Sequence, residues 1–339
     1  MMLRLVFPLL ALCGARAEAQ PTLWVTGDAM TSAQIRDAAV DASSPEAGIA
    51  SMLEPLSELW SGARNVVIAN LETPVTRRRR RAHDDGAPMR GLRAVRLNAP
   101  PYFLAGLRRS GVDALTLANN HALDQDEAGL AETLARVRAS GLVPLGAGPG
   151  ARAPLVVGGA VAVRVHNRYL APGGTALEGA LAYGGNEAPF GDGLDLVIVH
   201  VVGEREREVD ERWRAYAETL IGAGADALIF HGTHVPLGAE ALDGVPVLWG
   251  LGNLLTDMGR MASPRRRVES KITDPATRLG LVARVTIETN GLNIEALPIF
   301  EVDERFVRWN TASAGEGEIR LWVHLLVSCA PFANLPARW

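Results

Sequence analysis

Val112-Asp113-Ala114-Leu115-Thr116-Leu117-Ala118-Asn119-Asn120-His121-Ala122-Leu123-Asp124 is the stretch that decides the reading of this chain. The apolar run Val112–Ala118 has the composition of a buried strand and ends abruptly in amide, imidazole and carboxylate side chains. A helical pattern follows, with Leu130, Leu134 and Val137 on one face of Glu127–Ser140. Further apolar runs bounded by Gly, Asp or Asn are Thr22–Thr26, Val66–Ala69, Leu194–Val199, Ala227–Phe230 and Val245–Trp249. Trp213, Ala217 and Leu220 line one face of a second helix over Glu208–Ile221. Buried strands alternating with amphipathic helices predict a layered α/β domain.

Four more polar clusters close apolar runs: Gly27-Asp28, Asn70-Leu71-Glu72, His200 with Glu204, and His231-Gly232-Thr233-His234. Sites of open α/β sheets collect at the carboxyl ends of strands, so these ends are expected to converge on one point. Asp, Glu, Asn and His supply the oxygen and nitrogen donors that hard or borderline divalent metals take. Each cluster also has a plain reading. Gly27-Asp28 is a common turn pair, and Asn70 can cap a turn. Asp124 or Asp126 is expected to cap the following helix, and His121 alone is equally consistent with a satisfied core histidine. His83, His166 and His324 lack such a setting. Gly250-Leu251-Gly252-Asn253 ends another strand, but its spacing is not that of a dinucleotide fingerprint. The chain carries neither a Walker loop nor a Gly-x-Ser-x-Gly elbow.

The 339 residues are 48% hydrophobic, enough for a large core. A net charge of −4 with 21% charged residues argues against a disordered chain and gives no signal for nucleic acid. Arg4 followed by the apolar Leu5–Leu12, with Ala15-Arg16-Ala17 and Ala17-Glu18-Ala19 as small-x-small sites, reads as a signal peptide over residues 1–19. The expected mature protein is exported, to the periplasm or cell envelope, keeps Cys329 as its one thiol and has no spanning helix. A main domain over residues 20–300 and a C-terminal extension over 301–339 are expected. Leu281–Glu288, the turn signal Thr289-Asn290-Gly291-Leu292 and Asn293–Ile299 predict a hairpin that extends or covers the sheet. Arg77–Arg81, Pro172–Asn186 and Met258–Thr277 read as surface loops, the arginines being either solvated or a docking surface for a polyanion.

The motif order resembles that of the bacterial capsule synthesis proteins of the CapA type, which are tied to poly-γ-glutamate capsules. Their Gly-Asp, Asn-Leu-Glu, Ala-Asn-Asn-His-x-Leu-Asp, His-Trp-Gly-x-Glu, Gly-His-His-Pro-His and Ser-Leu-Gly-Asn-Phe have counterparts here in the same order. These are Gly27-Asp28, Asn70-Leu71-Glu72, Ala118–Asp124, His200 to Glu204, Phe230–His234 and Gly250–Leu254, so the resemblance covers roughly residues 22 to 257. That family is similar to the calcineurin-like metallophosphoesterases, which implies a sandwich of two mixed β-sheets flanked by helices.

The resemblance further implies that Asp28, Asn120, His200, His231 and His234 are metal ligands, with Glu72 bridging and His121 protonating the leaving group or steadying the transition state. The cofactor would be one or two divalent metal ions, with Mn, Zn, Fe and Mg not distinguished. Two such ions can activate water and clamp a scissile group. Three departures stand out: Met30 lies where the phosphoesterases have a histidine, Gly232 replaces the middle imidazole of the fifth motif, and Val201-Val202 replace the Trp-Gly after the fourth motif's histidine, with the glycine displaced by one. The implied activity is cleavage of a phosphoester or an amide in an anionic polymer, alongside envelope capsule-synthesis partners. The rival expectation is a non-catalytic envelope protein that binds or guides such a polymer with the Arg77–Arg81 and Arg265–Arg267 loops.

Overall fold

A strand buried on both faces must be apolar throughout, and Leu23-Trp24-Val25 shows why: Leu23 and Val25 pack on one side, Trp24 on the other. The computed structural model describes residues 21–31, 33–40, 42–62, 64–77, 96–158, 161–172, 180–185, 187–202, 208–256, 275–288, 291–302 and 305–308. The expected signal peptide, Arg78–Arg81, Glu204, Arg265–Arg267, Asn290 and residues 309–339 lie outside them.

In chain order the first half comprises β1 (Thr22–Ala29), α1 (Ala33–Val40), α2 (Pro45–Ser57), β2 (Asn65–Leu71), α3 (Tyr102–Arg109), β3 (Ala114–Thr116), α4 (Asp126–Ala139), β4 (Val143–Leu145), β5 (Leu155–Val157) and β6 (Val163–Leu170). The second half comprises β7 (Leu194–Val201), α5 (Glu211–Gly222), β8 (Ala227–His231), β9 (Ala239–Leu242), β10 (Val245–Leu248), β11 (Asn253–Leu255), β12 (Leu279–Glu288), β13 (Gly291–Val302) and β14 (Arg305–Arg308). Among the described residues one sheet runs β14-β13-β12-β1-β2-β3-β4, with β11 also pairing β1, and the other runs β5-β6-β7-β8-β10-β9. β1 to β4 are parallel, as are β6, β7, β8 and β10, so their carboxyl ends share one rim. Both sheets are mixed. The expected hairpin forms as β12 and β13 and extends the first sheet antiparallel to β1.

The sheets stack face to face. Leu23, Val25 and Ile68 of one meet Val165, Leu196, Ile198 and Ile229 of the other in a shared core. Residues of α2, α3 and α4 cover the outer face of the first sheet, and Trp213, Tyr216, Ala217 and Leu220 of α5 cover the second. Each fully buried Leu or Ile contributes about 1.5–3 kcal/mol from area removed from water. Ser44 starts α2 by accepting a hydrogen bond from Ala47 N at 3.2 Å, and Asp210 starts α5 by accepting one from Arg212 N at 2.8 Å.

β6 is a strand that apolar-run reasoning passes over. Its alternate residues Arg164, His166 and Arg168 are charged or polar, yet His166 and Arg168 are buried. Buried acids balance them. Asp195 bonds Arg164 and, at 2.7 Å, His166. Glu187 takes Arg168 at 3.1 Å, Arg152 at 3.0 Å and the Tyr216 hydroxyl at 2.6 Å. Among the described residues, no helix is long and apolar enough to cross a membrane.

Candidate metal centre

Strand register lines up the polar ends. In the first sheet Asp28 pairs with Asn70 on one side and Asn253 on the other, and Asn70 pairs with Thr116. One level of four strands therefore carries Thr116, Asn70, Asp28 and Asn253. In the second sheet Tyr169, His200 and His231 pair across β6, β7 and β8. Their rings stack edgewise, with centroids 5.6 Å apart for Tyr169–His200 and 4.9 Å for His200–His231. The two rows face one another across the rim of the sandwich.

The first row is tied internally. The Thr116 hydroxyl donates to Asn70 Oδ1 at 3.2 Å, and Asn70 Nδ2 donates to Asp28 Oδ1 at 2.8 Å. Asn119 Nδ2 donates to Asn70 Oδ1 at 3.1 Å and to Leu71 O at 2.9 Å, anchoring the Asn119–His121 corner. Gly27 permits β11 to approach β1 here, since a Cβ at that position would lie 1.9 Å from Gly252 O.

The rows join at Asp28. Its Oδ1 lies 3.2 Å from His231 Nδ1, and its Oδ2 lies 3.3 Å from His234 Nδ1. His200 Nδ1 is 3.1 Å from His231 Nδ1, and His200 Nε2 is 2.7 Å from Asn120 Oδ1. Glu72 lies between, with Oε1 3.8 Å from His200 Nε2 and Oε2 3.8 Å from His234 Nδ1. Two groups of possible ligand atoms result, each within 4.8 Å: Asp28 with His200 and His231, and Asp28 with Glu72 and His234. Asp28 is the carboxylate common to both, whereas the resemblance implied a bridging Glu72.

All six sequence-derived ligand candidates, Asp28, Glu72, Asn120, His200, His231 and His234, are brought together. His121 stands beside them with its side chain 19% exposed, and its Nδ1 is 2.8 Å from Asp124 Oδ2. Of the two acids expected to cap α4, Asp126 opens the helix and bonds its first turn, with Oδ1 accepting from Gly129 N at 2.9 Å. The Asp124 carboxylate instead faces His121 and accepts from Leu97 N at 2.6 Å. His166, set aside in the sequence, belongs to the Asp195 network and not to this site.

The missing imidazole of the fifth motif has a steric reason. Gly232 has φ +91°, and a Cβ there would sit 2.3 Å from Val201 O and 2.6 Å from His200 Cε1. No side chain fits while His200 keeps this position.

Burial works against ionisation of Asp28, but hydrogen bonds from His231 and His234 outweigh it and hold the carboxyl below the usual carboxylate range. Burial, reinforced by His231, pushes the His200 pKa well down, so its ring is neutral and has a lone pair to give. Burial also lowers the basicity of His121, but the Asp124 hydrogen bond and the Glu72 charge overcome this and raise its pKa. Burial, then Tyr183 and Glu72, push the Tyr169 phenol up to about 12.

The donor set fits divalent cations. Asp28 and Glu72 are both essentially inaccessible, and two carboxylates so placed require positive charge nearby. Among the described residues, His231 Nε2 is buried with no hydrogen-bond partner, an arrangement that costs free energy unless something else satisfies it. Oxygen and imidazole nitrogen suit Zn, Mn, Fe and Mg to different degrees.

The family model described as bacterial capsule synthesis protein PGA_cap matches residues 22–159 and 191–258. The chain is 27% identical to a probable polyglutamine synthesis accessory protein of Mycobacterium tuberculosis over 272 residues, 66% of each chain, with the same figures in two strains. It is 25% identical to the capsule biosynthesis protein CapA of Bacillus anthracis over 187 residues, 49% of this chain and 45% of that one. The chain thus spans just under two thirds of the length of the mycobacterial relatives. The matched segments contain all six converging candidate ligands, and the chain belongs to the bacterial capsule synthesis protein family PGA_cap.

Proposed function

We propose that this protein is an exported, metal-dependent hydrolase of the capsule synthesis family, cleaving a phosphoester or an amide in an anionic polymer. The observation that carries the reading is the sharing of Asp28 by two donor groups drawn from both sheets. His200, His231 and Asp28, with Asn120 at the rim, would hold one cation, and Glu72, His234 and Asp28 a second. Cations bound there supply Lewis acidity and a more acidic water.

The chain's own residues supply the rest. Asn70 fixes the Asp28 carboxylate, so its lone pairs keep one orientation. Asp124 fixes the His121 ring through Nδ1. A partly exposed imidazole held beside the ligands is placed to give a proton to a leaving oxygen or nitrogen. The anionic polymer and the envelope partners follow from the family's capsule role, and export follows from the N-terminal apolar stretch; both belong to this reading. The Arg77–Arg81 run adds a cationic feature suited to the same class of substrate.

Metal analysis of the purified chain, paired with hydrolysis assays on a phosphoester and on poly-γ-glutamate, tests the proposal. Asp28→Ala is expected to lose bound metal and turnover, and His121→Ala to keep metal and lose turnover. Full activity in both variants overturns it. Salt-sensitive polymer binding by a chain that never turns over assigns the guiding role instead.

A further inference from the structure

Asn253 lies outside every ligand set considered so far, yet it occupies the register position directly beside Asp28. It is completely buried. Its amide hydrogens are both committed, Nδ2 donating to His234 O at 3.1 Å and to Thr277 O at 2.8 Å. An amide whose nitrogen is held by two carbonyls has its oxygen orientation fixed, because a flip would set oxygen against oxygen. That oxygen points inward, 3.1 Å from His234 Nδ1. The same Nδ1 is 3.3 Å from Asp28 Oδ2 and 3.8 Å from Glu72 Oε2.

Three oxygens from separate segments therefore surround one imidazole nitrogen. Each is a lone-pair donor once the ring nitrogen is deprotonated. Asn253 also bonds the His234 carbonyl, and His234 has φ +56°, a left-handed conformation uncommon outside glycine. Asn253 thus holds the residue whose ring it faces.

We infer that Asn253 Oδ1 is a further metal ligand, completing a three-oxygen, one-nitrogen site with Asp28, Glu72 and His234. This rests on the metal-dependent reading above and makes its two positions chemically unequal. The Asp28–His200–His231 position offers two nitrogens, and imidazole suits zinc and iron. The Asn253 position is dominated by hard oxygens and suits manganese or magnesium. The protein is then a mixed-metal binder, with a nitrogen-rich and an oxygen-rich position sharing one carboxylate.

Titration of the metal-free full chain with Zn²⁺ and Mn²⁺ tests this, read by calorimetry, by bound-metal stoichiometry and by the Mn²⁺ electron paramagnetic resonance spectrum. The parent is expected to bind two equivalents, Mn²⁺ preferring the oxygen-rich position. Asn253→Ala is expected to keep one equivalent of Zn²⁺ and to weaken Mn²⁺ by more than about 100-fold, beyond the 10–100-fold that an outer-shell partner costs. Asn253→Asp keeps an oxygen at the ligand position but loses the amide hydrogens. A ligand role predicts Mn²⁺ affinity well above that of Asn253→Ala, whereas a purely structural amide predicts equal loss in both. Equal loss, or unchanged Mn²⁺ binding in Asn253→Ala, overturns the inference. Absence of any bound metal in the parent overturns the functional reading itself, which separates the two failures.

Discussion

Restoring the family's lost imidazole at position 232 is expected to damage this protein. Gly232→His replaces a residue at φ +91° whose added Cβ would lie 2.3 Å from the Val201 carbonyl and 2.6 Å from the His200 ring. A side chain in the left-handed region costs about 1–2 kcal/mol. Crowding a packed site costs roughly another 1–3 kcal/mol. The sum is about 2–5 kcal/mol, and at about 2–4 °C per kcal/mol for a domain of this size the melting temperature falls by roughly 4–20 °C. Gly232→Ala carries the same Cβ and isolates the steric part. Thermal unfolding of both variants in metal-free buffer measures the effect, and zinc titration reports whether His200 has been displaced. A Gly232→His protein that melts within about 2 °C of the parent and binds metal more tightly refutes the reasoning.

Three further outcomes follow from geometry elsewhere. Glu187→Ala leaves Arg168 and the Tyr216 hydroxyl without their buried acid, and removal of one partner from such a cluster costs about 3–5 kcal/mol in urea unfolding. Asp210→Ala removes the cap of α5 and is expected to cost about 1 kcal/mol at neutral pH. Hydrogen bonds from Arg212 lower the folded Asp210 pKa below its ordinary 3.8, so the carboxylate's contribution is full above that value and fades as pH falls through the folded pKa. The stability gap between parent and Asp210→Ala should therefore narrow in acid, and a gap that widens below pH 4 would contradict the assignment. Asn70→Ala frees Asp28 from its fixed orientation and is expected to weaken metal binding by about 10–100-fold in calorimetric titration while the fold survives.

The strands that build the rim were legible because they are buried on both faces. Leu194–Val199 and Ala227–Phe230 read as strands from composition alone, and the structure extends each by a residue or two to include His200 and His231. β6 was not legible. Its polar residues Arg164, His166 and Arg168 mimic a solvated segment, and His166 and Arg168 are buried with Asp195 and Glu187, far along the chain, to balance them. The short edge strands β4, β5 and β9 carry too few residues for a pattern. In the site, Asp28, Glu72, His200, His231 and His234 stood out as polar ends of apolar runs. Asn253 was left without a role and Asn70 was offered only as a turn cap, because their places beside Asp28 depend on which strands lie side by side at one level. Asp124 and Asp126 could not be told apart as helix-capping candidates from residue type, and the structure puts Asp126 on the first turn of α4 and Asp124 against His121.

The centre draws on both layers of the sandwich, with Asp28 and Asn253 from one and His200 and His231 from the other. Any cation seated between them acts as a rivet. It resists shear of one layer against the other and couples the cohesion of the body to ion supply, so a chelator should lower the melting temperature of the metal-bound protein.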